Sequence, residues 1–516
     1  MTIRYHQLLS FVLASFIAAP LAAQDLPPVR DDVFEGPEHT YVAHPFDQQH
    51  IVVDVRIDPK ARSVTGHSEL HVRPLEPMRT IRLMAADMVV DSVIVTTGGR
   101  RFRAPFEQSG FDSLLVTLTP EETAADSVSG DEEVPDTLSM VVDSLVSSAP
   151  AALDKPFVVS TYYTAHPTIG LYFVEPYDHE AAEHVQIWSQ GETEGNRHWF
   201  PLYDVPDDKL TSEVIVTIDS AYTVVSNGSI ESDRLNDDGT RTVHFSQSRP
   251  HSPYLISIAA DDYISIRSHA MLEDGTRIPL AYHVLPERAD DVERTLGATP
   301  EIIAYFSEML DVPYPWARYD QTFVRDFMWG GMENTGAVTL MDRMLVDERA
   351  VLDYDPERIV AHEIAHQWFG DLVTARDWSH AWIHEGLTSY LEALNTERVR
   401  GREDFLLEMQ ANFDAYLRES RDYLRPVVWN RWIEPMNVFD RHAFDKGSWV
   451  AHMLRSKVGD EVFFDILERF LKDNAHQAVT TEDFQEAVEA VTGDDYEAFF
   501  DQWLHSAGHP VVDVRT

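Results

Sequence analysis

His362-Glu363-Ile364-Ala365-His366-Gln367-Trp368-Phe369-Gly370-Asp371-Leu372, with Glu385 nineteen positions beyond His366, is the stretch from which the rest of the chain is read. Histidines at i and i+4 project from one face of a helix, close enough to share one metal ion. Glu363 stands one step round from His362, where a carboxylate can take a proton from a water on that ion. Catalytic zinc takes three protein ligands and keeps one position open, and His, His, Glu is one of its standard sets. A helix is expected here on local grounds too. Asp355 can cap its start, Pro356 suits the first position, and Glu357 favours the positive end of the helix dipole. Ile359, Ala361, Ile364, Ala365 and Trp368 anchor it, Gly370 suits its stop, and a second helix from about Trp382 to Val399 brings in Glu385. The spacing predicts one Zn2+ per chain on His362, His366 and Glu385.

Two further segments narrow the reading. Gly330-Gly331-Met332-Glu333-Asn334 precedes the metal helix, and Gln190-Gly191-Glu192-Thr193-Glu194-Gly195-Asn196-Arg197 precedes Trp199-Phe200-Pro201-Leu202-Tyr203-Asp204-Val205-Pro206. Alone, the first reads equally as a turn at a strand end and the second as a solvated acidic loop. In this order, ahead of HEIAHQWFGDLVT and WIHEGLTSY, they resemble the M1 metallopeptidases, the aminopeptidase N and leukotriene hydrolase family. Pro313-Tyr314-Pro315-Trp316 and Ser252-Pro253-Tyr254-Leu255 are weaker markers, and the resemblance runs from about Tyr41 to Val514.

The resemblance implies His362, His366 and Glu385 as zinc ligands and Glu363 as general base. It makes Glu333 the carboxylate that grips a substrate's free α-ammonium, Glu192 its partner, and Gln190 a wall of the first side-chain pocket. Backbone around Gly330, Gly331 and Met332 is expected to lie along the substrate like an added strand, with Asn334 closing the motif. Recognition of a cation by buried paired carboxylates is sound chemistry without the family. One departure matters. The family places a tyrosine two residues before a Lys-Gly pair, where its hydroxyl stabilises the oxyanion; here Phe444 stands before Lys446-Gly447. Loss of one such donor typically slows turnover roughly 100- to 1000-fold, unless His442 or a water replaces it. The expected function is therefore zinc-dependent removal of N-terminal residues from peptides, slowed by Phe444. The alternatives are a non-catalytic zinc-containing peptide-binding homologue and a zinc endopeptidase, the latter disfavoured by the GGMEN segment. His384 stands where many relatives have Asn.

The chain has 516 residues and a net charge of −46 from 87 acidic and 41 basic side chains. That charge argues against nucleic acid and anionic membranes as partners and fits a solvated surface or an enzyme that attracts cationic substrates; the resemblance implies peptides with free N-termini as those substrates. With no cysteine, disulfides and thiolate metal sites are excluded. Arg4, the apolar Leu8 to Ala19 run and Leu21-Ala22-Ala23 read as a secretory signal over 1–23, which places the mature chain in the periplasm or outside the cell.

The expected fold is α+β and multidomain. An all-β, saddle-like domain over 24–265 is suggested by alternating runs such as Ile51-Val52-Val53-Asp54-Val55-Arg56-Ile57. An acidic, Ser-rich stretch interrupts it at about 120–154. A thermolysin-like, mainly helical zinc domain follows over 266–505, with a brief strand at Arg277 to Val284 and helices at Asp291 to Leu310, Glu403 to Arg418, Lys446 to Val458, Asp460 to Asp473 and Thr481 to Val491. A short tail, 506–516, ends the chain, and no C-terminal helical cap is expected.

Overall fold

The computed structural model describes residues 36–119, 152–177 and 184–511. The expected leader, most of the acidic stretch at about 120–154 and the end of the tail lie outside them. Alternation builds the first half. Ile51, Val53, Val55 and Ile57 are buried along Phe46–Asp58, and Val214, Val216 and Ile218 along Leu210–Asp219, while their neighbours in sequence are not. These two strands pair in parallel at the centre of an eight-stranded sheet. Its order is Ser229–Leu235, Thr240–His251, Leu210–Asp219, Phe46–Asp58, Ser63–Pro74, Phe157–Ala165, Met88–Thr97 and Arg100–Ala104. Smaller sheets of four and three strands pack on it around a core that includes Val93, Val159, Leu202 and Phe245.

The second half opens on a five-stranded sheet, ordered Ile264–Met271, Arg277–Val284, Tyr319–Val324, Ala337–Met341 and Gly331–Met332. Sequence pattern finds only one of these strands. Tyr319–Val324 is buried at every position and so carries no alternation. Ile264–Met271 runs across the expected boundary at 265 and pairs with Arg277–Val284, Ile266 opposite Tyr282. The stretch expected as one helix over 291–310 is two, Val292–Leu296 and Thr299–Met309. Pro300 sits in the first turn of the second, where its missing N–H is harmless but its ring blocks continuation of the first.

Helices Glu357–Ala365, Trp382–Arg400, Arg402–Glu419, Gly447–Val458, Asp460–Asp473 and Thr481–Thr492 pack behind this sheet through Ile302, Phe306, Val360, Ile364, Trp368 and Leu391. No helix among the described residues is long and apolar enough to cross a membrane. A third apolar cluster joins the halves, with Trp188, Tyr254 and Leu255 against Val324, Met332, Trp378 and Trp432. Polar bonds cross the same seam. Trp188 Nε1 donates to Arg325 O at 3.1 Å, Asn227 Nδ2 to Thr335 O at 3.0 Å, and Lys209 Nζ to Asp371 O and Leu372 O at 2.9 Å each. This seam carries the segment holding Gln190 and Glu192 toward the helix Glu357–Ala365.

Candidate active site

The helix Glu357–Ala365 ends at His366, and Asp355 Oδ1 accepts from Glu357 N at 3.1 Å, one residue ahead of the Pro356 cap. It carries His362 and His366 beneath the start of Trp382–Arg400, which carries Glu385. The Nε2 atoms of His362 and His366 are 3.1 Å apart, and Glu385 Oε2 lies 3.5 Å from the first and 3.3 Å from the second. A tetrahedral ion about 2.0–2.1 Å from its ligands holds them roughly 3.3–3.4 Å apart, so the triangle is of the right size. The tautomers fit as well. His366 Nδ1 donates to Phe369 O at 2.9 Å and His362 Nδ1 lies 3.2 Å from Glu392 Oε2, which leaves both Nε2 lone pairs facing Glu385. Glu385 Oε2 is buried with no hydrogen-bond partner. The residues present fit a zinc ion.

A cavity of about 590 Å³ opens over these atoms, lined among others by Glu192, Gly330, Gly331, Glu333, Glu363, Met436, Phe439 and Phe444. Gly331 and Met332 form the edge strand of the five-stranded sheet, so one side of their backbone has no strand neighbour. A Cβ at Gly331 would run into the Glu363 carboxylate, which explains glycine there. The structure thus brings Glu192, Gly330, Gly331, Glu333, His362, Glu363, His366 and Glu385 to one cavity. Three expected residues stand off its wall. Gln190 Nε2 lies 3.1 Å from Met332 Sδ, with both residues buried, and Asn334 Nδ2 turns away to donate to Thr339 Oγ1 at 3.1 Å.

Burial dominates the electrostatics. It pushes Glu363 up to about 8, with Glu333 and Glu385 adding to the rise against the two histidines. It also raises Glu192, which Glu333 pushes further, and it raises Glu333. For Glu385 burial acts upward too, but His366 and His362 outweigh it and hold the group down at about 2. Buried carboxylates packed this closely stabilise any added cation. Glu192 Oε1 and Gln190 Oε1 are buried acceptors without partners, as is Glu363 Oε2.

Phe444 lies on a π-helical turn, His442–Lys446, just before Gly447–Val458. Its ring is parallel to that of His362, 6.3 Å between centroids, and it offers no donor. His442, the possible replacement, points into the protein with Nδ1 3.1 Å from Glu419 Oε2 and does not line the cavity. Sequence reasoning missed Glu392, although it lies seven positions after Glu385, two helical turns along the same face. It also missed the role of Tyr254, whose hydroxyl reaches Glu333 Oε1 at 3.4 Å across the seam between the halves. No local pattern announces a contact between residues so far apart in the chain.

Residues 44–255 match the Peptidase M1 N-terminal domain and residues 294–503 the Peptidase family M1 domain. The chain belongs to peptidase family M1. It is 29% identical to Aminopeptidase M1 of Arabidopsis thaliana over 67% of this chain and 39% of that protein. It is 26% identical to Aminopeptidase M1-A of Oryza sativa subsp. japonica over 90% of this chain and 51% of the relative. The chain spans about half or less of the length of these curated relatives. The fold is like that of Legionella pneumophila aminopeptidase A, solved in complex with aspartic acid, with a TM-score of 0.74 at 20% identity over 90% of this chain and 50% of that one.

Proposed function

We propose that the chain is a zinc-dependent aminopeptidase that is exported and takes one residue at a time from peptide N-termini. The observation that carries this is the placing of half-buried Glu192 and buried Glu333 in the same cavity as the His362, His366 and Glu385 triangle. That triangle would hold a zinc ion, which when bound would supply Lewis acidity toward a peptide carbonyl and a water. Glu192 and Glu333 hold the α-ammonium, and Gln190 Oε1 is a further buried acceptor without a partner. The free edge of Gly331–Met332 aligns the substrate backbone. Glu363 takes a proton from the attacking water as the new C–O bond forms and delivers it to the leaving nitrogen as the C–N bond breaks. The relatives named as aminopeptidases and the family itself support the reading.

Phe444 favours a slow enzyme, and in the limit a protein that binds peptide N-termini without turning them over. Glu333→Gln separates the aminopeptidase from an endopeptidase. Hydrolysis of free-amine substrates should collapse in the variant, whereas an endopeptidase acting inside blocked chains would be untouched.

A further inference from the structure

His384 is wholly buried on the helix that carries Glu385, yet no step above uses it. Its Nε2 accepts from Ala375 N at 2.6 Å. A neutral imidazole whose Nε2 accepts must carry its proton on Nδ1, and Nδ1 is a buried polar atom with no partner. A ring nitrogen of His384 and one carboxylate oxygen each from Glu192 and Glu333 lie within 4.8 Å of one another. This trio has the composition of a second metal site, but the tautomer argues against one. One nitrogen's lone pair is taken by Ala375 and the other nitrogen carries a hydrogen. What remains is an unpartnered Nδ1–H donor on a ring that comes within 4.8 Å of two acceptors, a span one bridging water can cover. Tyr254 fixes the ring from the other half of the molecule: its ring lies at 19° to that of His384, 6.3 Å between centroids, and its hydroxyl reaches Glu333.

We infer that His384 is a positioning residue of the amine pocket, its Nδ1–H steadying the Glu192–Glu333 pair in the arrangement that receives an ammonium group. The inference rests on the aminopeptidase reading. The carboxylates repel each other, and a neutral donor offsets that repulsion without competing for the incoming cation.

The test uses His384→Leu and His384→Asn, since an Asn amide restores an N–H near Nδ1. Three quantities are read: zinc per chain, KM against kcat on an unblocked aminoacyl-coumarin, and affinity for two zinc-directed hydroxamates that differ only by an α-amino group. Loss of a hydrogen bond to a charged group corresponds to about 10- to 100-fold. We expect that loss in His384→Leu as a raised KM and a weakened amino-hydroxamate, with zinc retained and the des-amino compound bound as before. His384→Asn should recover most of it. If both hydroxamates weaken together, or zinc is lost from both variants, His384 serves to place its neighbour Glu385 instead and the inference falls. If the unsubstituted chain itself binds the two hydroxamates equally, the amine pocket and the aminopeptidase reading fall with it.

Discussion

Phe444 and Glu392 set the two sharpest expectations at the scale of single residues. Phe444→Tyr returns a hydroxyl to a ring already parallel to His362. We expect kcat to rise by roughly 100-fold or more, the usual worth of an oxyanion donor, with little change in KM; steady-state kinetics on an aminoacyl-coumarin reads both. Glu392 reaches Nδ1 of His362 and is itself held by Arg358 at 2.7 Å. Glu392→Gln should weaken zinc binding about 10- to 100-fold, measured by competition with a chromophoric chelator. The pairing of His362 and His366 was legible in the sequence because i, i+4 spacing on a helix is a complete geometric instruction. Glu392 was equally available from i+7 spacing but has no motif to mark it. Tyr254 and His384 were present as letters, yet the seam contacts that give them meaning depend on the fold.

Among the elements, the crossing of Trp382–Arg400 with the turn before Gly447–Val458 places Phe444 beside His362 in the cavity wall. The crossing is close because two glycines meet: a Cβ on Gly386 would lie 2.9 Å from both Ala443 O and Gly447 Cα. Backbone atoms cannot yield as a flexible side chain does. Gly386→Ala should push the π-helical turn away and destabilise the chain by about 1–3 kcal/mol, seen as a lower melting temperature together with reduced turnover. The helices themselves were readable, and Asp460–Asp473 matches its expected limits, because amphipathic spacing runs between the flanking Gly459 and Asn474 there. The five-stranded sheet was mostly not readable. Its Tyr319–Val324 strand is buried throughout and Gly331–Met332 is two residues long, so neither shows the period of two that betrays a strand.

For the molecule as a whole, the β half acts as more than a support, since it contributes Glu192, Tyr254 and the Lys209 bonds to the turn after the metal helix. Next to Lys209 lies Asp208, which burial pushes up to about 7 although Gln48 N donates to its carboxylate at 3.1 Å. Unfolded, an aspartate titrates near 3.9. Between about pH 4 and 7 the folded chain therefore keeps a proton that the unfolded chain has released. This group's contribution is complete below pH 4 and is lost as pH rises through 7. Asp208→Asn removes the titration, so the variant should gain stability relative to the parent as pH rises across that window, followed by denaturant unfolding at several pH values. A difference that stays flat would remove Asp208 from the pH dependence.

The most direct test of the central claim is hydrolysis of paired unblocked and acetylated aminoacyl-coumarins, with zinc and with chelator, by the chain and by Glu333→Gln. We expect activity only on the unblocked substrates, abolished by chelator, restored by zinc and lost in the variant. Cleavage of the acetylated substrates at a similar rate, or activity that persists in chelator, would contradict an aminopeptidase built on Glu192, Glu333 and a metal at His362, His366 and Glu385.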